Sequence, residues 1–201
     1  MKRSFPILAL ALLVAGTLFA ADKPAASDRE NLLSELARTE ARFLTSVEGL
    51  SEAQWNFKAA PDRWSIAECA EHIAASEPMI RGMIAEAIKK ELTAEMAPSA
   101  NKDEALMKGL VDRSKKFKAP EPLVPTNRYG STADALASFK KERAETVALA
   151  SGDTDLRTHG DNHFLAGPLD GQGWFLFLSG HSERHTLQIE EVKADPNFPK
   201  E

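Results

Sequence analysis

A single cysteine, Cys69, stands in a chain of 201 residues, and its isolation removes several chemistries at once. One thiol cannot build an intramolecular disulfide framework, a cysteine-rich zinc site or a CxxCH haem attachment. Basic charge is also in short supply: 25 Lys and Arg face 30 Asp and Glu, a formal net charge of −5, with both signs dispersed along the chain. A duplex or RNA partner needs a concentrated basic footprint, so no nucleic acid is expected as a partner. Alternating runs of Val, Ile, Thr and aromatic residues that would mark a sheet are missing, as is any repeat with a period of about 20–50 residues. No HExxH, ExxH, GxSxG or Gly-rich phosphate loop occurs, which removes the zincin peptidase, the di-iron carboxylate bundle, the α/β-hydrolase elbow and the P-loop. Any chemistry must come from five histidines, the carboxylates and one thiol.

What is present suits one domain: 43% hydrophobic and 27% charged residues over this length can bury a real core. Residues 1–21 read as a signal peptide, with Lys2 and Arg3 as the positive start, an apolar run from Phe5 to Phe19, and small Ala20 and Ala21 at the cleavage zone. The run is shorter than the roughly 20 apolar residues of a spanning helix, and no cysteine follows to carry a lipid anchor. The expected mature domain, residues 22–201, has 23 basic against 30 acidic residues, a charge of −7, and is expected to be exported to the periplasm or secreted.

Helical periodicity fills most of that domain. Ser27 is a candidate N-cap for a helix carrying Leu32, Leu33, Leu36, Phe43, Leu44 and Val47 and ending near Gly49. The stretch Leu50 to Arg63 reads as a connection. Ser65 and Glu68 form a capping box that opens a second helix running to about Leu92, with Pro78 expected to kink it. A long, proline-bracketed surface connection from Ala97 to Arg128 contains a charged segment, Lys102 to Lys118, with room for a short extra helix. A third helix starts at Ser131 or Thr132 and stops at Ser151-Gly152, Asp153 to Gly173 reads as loop, and a fourth helix spans Trp174 to Lys193. The expected fold class is an all-α four-helix bundle with a long connection between its second and third long helices.

On the fourth helix, Trp174, Leu178, His181, His185, Gln188 and Val192 are spaced by three and four, so they form one inward stripe. Histidines at i and i+4 stack on that face and can converge on one ion. On the second helix His72 shares a stripe with Ser65, Cys69, Ser76, Met79 and Met83, small or flexible residues that suit a cavity. Three neutral imidazoles leave coordination positions open, and Zn, Ni and ferrous Fe all accept such a set.

The block Arg63-Trp64-Ser65-Ile66-Ala67-Glu68-Cys69-Ala70-Glu71-His72-Ile73 resembles the opening of the second helix in the DinB-like superfamily. The stretch His163-Phe164-Leu165-Ala166-Gly167-Pro168-Leu169, then Trp174, then His181-Ser182-Glu183-Arg184-His185-Thr186-Leu187-Gln188-Ile189, is similar to that superfamily's last helix with its HxxxH pair. The resemblance implies a four-helix bundle in which His72, His181 and His185 hold a divalent metal, for which the ligand type leaves Zn, Ni or Fe open. It implies relatives that are metal-dependent thiol transferases or hydrolases, many without known activity, and a homodimer as a common state.

The remaining chemistry-bearing residues each have a bland reading beside the sharp one. Cys69, one turn before His72, is either a thiolate ligand or a small buried residue. His163 is a site-mouth residue or proton shuttle, or, like His159, a solvated loop histidine. Gln188 is a candidate for orienting substrate or holding water. Glu71 and Glu77 project off the His72 stripe and are expected at the surface or behind the ligands. Glu183 and Arg184 are expected on a charged outer face, and Trp64 and Trp174 as core anchors at helix starts. The expected function is an exported mononuclear metal protein, a hydrolase or thiol transferase acting on a small molecule. The alternative is a non-catalytic binding or scaffold bundle in which the metal is structural or lost.

Overall fold

The computed structural model describes residues 27–94 and 100–200; the expected signal segment over residues 1–21 lies outside the described residues. Four long helices form the bundle: α1 (Asp28–Ser46), α3 (Ile66–Ala87), α5 (Thr132–Ala150) and α6 (Gly171–Lys193). Two shorter helices, α2 (Glu52–Asn56) and α4 (Ala100–Val111), a 3-10 turn (Glu121–Leu123) and a hairpin of β1 (Gly160–His163) and β2 (Gly167–Asp170) complete the described elements. Serine caps open the first three helices in the same way. Ser27, Ser51 and Ser65 each accept the backbone N–H three residues on, while Glu30, Gln54 and Glu68 reach back to the cap N–H. The helix α3 runs through Pro78 without a break; the ring leaves the Ala74 carbonyl without its usual donor.

The packing order around the bundle is α1–α6–α3–α5 and back to α1. One apolar cluster gathers the start of α1 (Leu32, Leu36), the end of α3 (Ile80, Ile84), the end of α5 (Ala150) and the start of α6 (Trp174, Phe175, Leu178). A second gathers the end of α1 (Phe43, Val47), the start of α3 (Ile66, Cys69, Ile73), Phe139 of α5 and the end of α6 (Ile189, Val192). Thus α1 and α6 run one way, and α3 and α5 run the other. Neighbours α3 and α5 are parallel, so the chain leaving α3 must travel back along the whole bundle before α5 can begin. That requirement explains the long connection, and α4 lies within it.

Between the two apolar clusters sits a buried ion pair. The Arg143 guanidinium on α5, fully buried, donates to both carboxylate oxygens of Glu77 on α3 at 2.7 and 2.9 Å, to the Leu36 carbonyl and Thr39 hydroxyl on α1, and to the Ser182 hydroxyl on α6. One side chain therefore ties all four long helices at mid-height. Glu77 is interior, so of the two places expected for it the surface is excluded. Glu71 is also buried, and it accepts N–H groups from Thr126 and Asn127 and from the Arg128 side chain.

Other expectations are corrected by α4. It packs along α6, where Gly180 faces Leu110 and Met107, so the connection is a layer of the structure and not a surface strap. Covered by α1, α3, α4 and the hairpin, α6 is buried on almost every side, and Glu183 and Arg184 are interior. Glu183 pairs with Arg42 and Arg38 of α1. Arg184 donates to the carbonyls of Leu110, Asp112 and Lys115, satisfying acceptors at the end of α4. The span expected as loop before α6 holds the hairpin, and the expected connection after α1 holds α2. Gly160 is required in the hairpin, because a Cβ there would collide with the Leu169 carbonyl. No helix among the described residues is long and apolar enough to cross a membrane.

Candidate metal centre

The antiparallel crossing of α3 and α6 brings His72 opposite His181 and His185, and one ligand atom from each lies within 4.8 Å of the other two. The closest pair is His72 Nε2 and His181 Nε2, 3.2 Å apart. For His72 and His185 the tautomer follows from what holds the far edge of the ring. His72 Nδ1–H donates to the Leu123 carbonyl at 2.8 Å, so Nε2 turns a lone pair inward. His185 Nδ1–H donates to Gln188 Oε1 at 3.0 Å, one turn along α6. Gln188 therefore positions His185, and it also lines the adjoining cavity.

Burial pushes all three imidazoles below the usual histidine range, and His181 and His185 well below it. For those two, the neighbouring imidazoles and nearby guanidinium groups, Arg184 beside His181 and Arg113 beside His185, add to the effect. For His72, the bond to Leu123 opposes it without overcoming it. Neutral nitrogens with inward lone pairs are what a divalent cation binds. Ligand bonds of about 2.1 Å separate nitrogens by about 3.0–3.4 Å, so the His72–His181 spacing already fits and His185 closes by a small side-chain movement.

The support around the triad comes from distant parts of the chain. Leu123 belongs to a single 3-10 turn, Glu121–Leu123, at the end of the long connection. That turn is fixed by Glu71, next to His72, through the N–H groups of Thr126 and Asn127 and through Arg128. Burial disfavours the Glu71 carboxylate, but these donors outweigh it and hold its pKa below the usual value. Trp64 lies over His72 and His185, with ring centroids at 4.8 and 5.9 Å, and is a wall of the site as well as a packing residue. Trp174 is a buried anchor whose indole N–H reaches the Asp161 carbonyl.

Cys69 is not part of the triad. It is wholly buried in the second apolar cluster, and burial pushes its thiol well above the usual range. His163 is buried too, against expectation for a loop histidine, and lines the same cavity as the triad. Its Nδ1 accepts the N–H groups of Leu165 and Ala166 at 3.1 Å, so its proton resides on Nε2, which has no hydrogen-bond partner. Burial pulls its pKa down to about 4. A neutral ring with one nitrogen fully engaged is a poor proton shuttle at neutral pH. His159 lies half-buried beside Thr158, outside the triad.

Fold and site together define a helical bundle with a histidine triad at the crossing of two long helices. The model for the DinB superfamily matches residues 35–189, and the chain belongs to that superfamily. Among its relatives, the uncharacterized protein YuaE of Bacillus subtilis (strain 168) is 29% identical over 161 residues, 77% of this chain and 93% of YuaE. The solved structure of YfiT from Bacillus subtilis, described as a probable metal-dependent hydrolase with an unusual four-helix bundle topology, superposes with a TM-score of 0.56. The two are 14% identical, covering 88% of this chain and 94% of YfiT, a likeness of fold.

Proposed function

We propose that the protein is a metal-dependent hydrolase that holds one divalent ion on His72, His181 and His185 and acts on a small molecule in the adjoining cavity. The observation that carries this reading is the convergence of three neutral imidazoles, two of them, His72 and His185, with their outer edges held by Leu123 and Gln188. A divalent ion bound there supplies Lewis acidity. The chain's own residues hold the nitrogens in place, keep them unprotonated and wall the site with Trp64, which limits water on one side. The description of YfiT as a probable metal-dependent hydrolase supports hydrolysis over thiol transfer. Export of the mature chain after residue 20 or 21 is part of the proposal and rests on the sequence of the leader. It also disfavours thiol transfer, which draws on thiols of the cytoplasm.

The test is a panel of ester, amide and phosphoester substrates presented to metal-free protein and to protein reloaded with Zn, Ni or ferrous Fe. Hydrolysis that appears on reloading and is absent from His181→Ala/His185→Ala protein supports the proposal. Activity equal in the double variant and the parent would contradict it.

A further inference from the structure

The cavity beside the triad encloses about 1200 Å³, larger than the roughly 300–1,000 Å³ typical of small-ligand sites. Its interior is apolar, with Met79 and Met83 of α3, Leu106 and Leu110 of α4, and Leu169 and Phe177 around the histidines. Its rim has the opposite character to the acidic chain around it. Seven Lys and Arg line the cavity as a whole, the buried Arg184 among them, against one carboxylate, Asp62. Some of these cations are engaged: Arg113 and Arg63 pair with Glu191, and Arg184 holds backbone carbonyls. Lys115, Lys116 and Lys118 are exposed; Lys115 and Lys116 act through space on Asp112 and Glu191, but none of the three makes an ion pair within contact distance among the described residues.

Apolar exposure concentrates at the same place. Among the described residues four large hydrophobic side chains are strongly exposed, and three of them, Phe117 at 60%, Phe164 at 69% and Leu165 at 60%, stand at this cavity. Phe117 projects from the lysine segment, while Phe164 and Leu165 form the tip of the β1–β2 hairpin. Exposed apolar residues gathered at one opening mark a binding surface. A purely polar substrate would waste this lining, and a purely apolar one would gain nothing from the lysines.

We propose that the cavity takes an amphiphilic anion: a molecule whose apolar body lies along Met79, Met83, Leu110 and Phe177 beside the histidines, and whose carboxylate or phosphate head meets Lys115, Lys116 and Lys118 at the mouth. As a substrate it depends on the metal-dependent reading above; as a ligand it does not.

Calorimetric titration of the purified protein, metal-free and metal-loaded, with monomeric decyl phosphate, decanol and decyltrimethylammonium tests it. Decyl phosphate should bind at least about tenfold more tightly than the cation, and Lys115→Gln/Lys116→Gln/Lys118→Gln should remove most of that preference and flatten its salt dependence. Met83→Trp, which fills the cavity, should weaken the anion and the alcohol alike. Equal affinity for anion and cation, or a preference unchanged by the triple substitution, overturns the proposal. So does binding to vesicles of anionic phospholipid without binding of the monomer, because the head would then be read at a surface with the cavity unused. Absence of decyl phosphate binding to the parent protein while it holds its metal overturns this inference alone. Binding that persists in His181→Ala/His185→Ala protein supports it whatever becomes of the metal.

Discussion

His185 owes its orientation to Gln188, and the contact is simple enough to remove. Gln188→Leu keeps the volume and takes away the acceptor for Nδ1–H, freeing the ring to rotate or exchange tautomer. Competition with a chromophoric chelator should show metal affinity reduced by about 10–100-fold, with the far-ultraviolet circular dichroism unchanged. His163 makes a different prediction. Its folded pKa, about 4, lies below the ordinary histidine value, so the unfolded chain binds the extra proton first. The stability this group contributes is complete above about pH 6.5 and is lost as pH falls toward 4. Urea midpoints measured between those values should fall less steeply for His163→Asn than for the parent; parallel slopes would refute the assignment. The triad itself was legible in sequence, because i,i+4 spacing and helical stripes are local facts. What orients His72 was not, since Leu123 lies 51 residues away and contributes only a backbone carbonyl.

Each helix of the bundle is held to the others by Arg143, and the cost of removing it belongs to the elements together. Arg143→Met leaves the Glu77 carboxylate buried with no cation, and should lower unfolding free energy by about 3–5 kcal/mol in urea titrations. Adding Glu77→Leu should restore much of that loss, since two apolar side chains then replace a desolvated pair. A double variant as weak as the single one would show that the hydrogen bonds to Leu36, Thr39 and Ser182 matter more than the pair. Periodicity located the four long helices because their apolar stripes extend over several turns. It assigned Glu183 and Arg184 to the outside, and left Glu77 between the surface and a place behind the ligands, because a charged residue off the main stripe is usually solvated. Tertiary partners on α5, α1 and the end of α4 reverse that, and no local pattern announces them. The hairpin escaped for another reason: two strands of four residues, rich in Gly, Pro and Asx, carry too little alternation to read.

At the scale of the molecule, the parallel pair α3 and α5 forces a crossover, and the crossover builds the site. Its first half contributes α4 against α6, its middle carries the lysines and Phe117, and its last turn brings the Leu123 carbonyl to His72. The length of this connection was visible in the sequence; its path across the histidine face was not, because direction depends on which helices become neighbours. The histidine triad at the centre of that arrangement is the account's main commitment. Elemental analysis of protein purified without added chelator, alongside His181→Ala/His185→Ala protein prepared identically, tests it most directly. The account predicts about one divalent metal per chain in the parent and none above background in the double variant. Background levels in the parent, both as isolated and after loading with Zn, Ni or ferrous Fe, would contradict it.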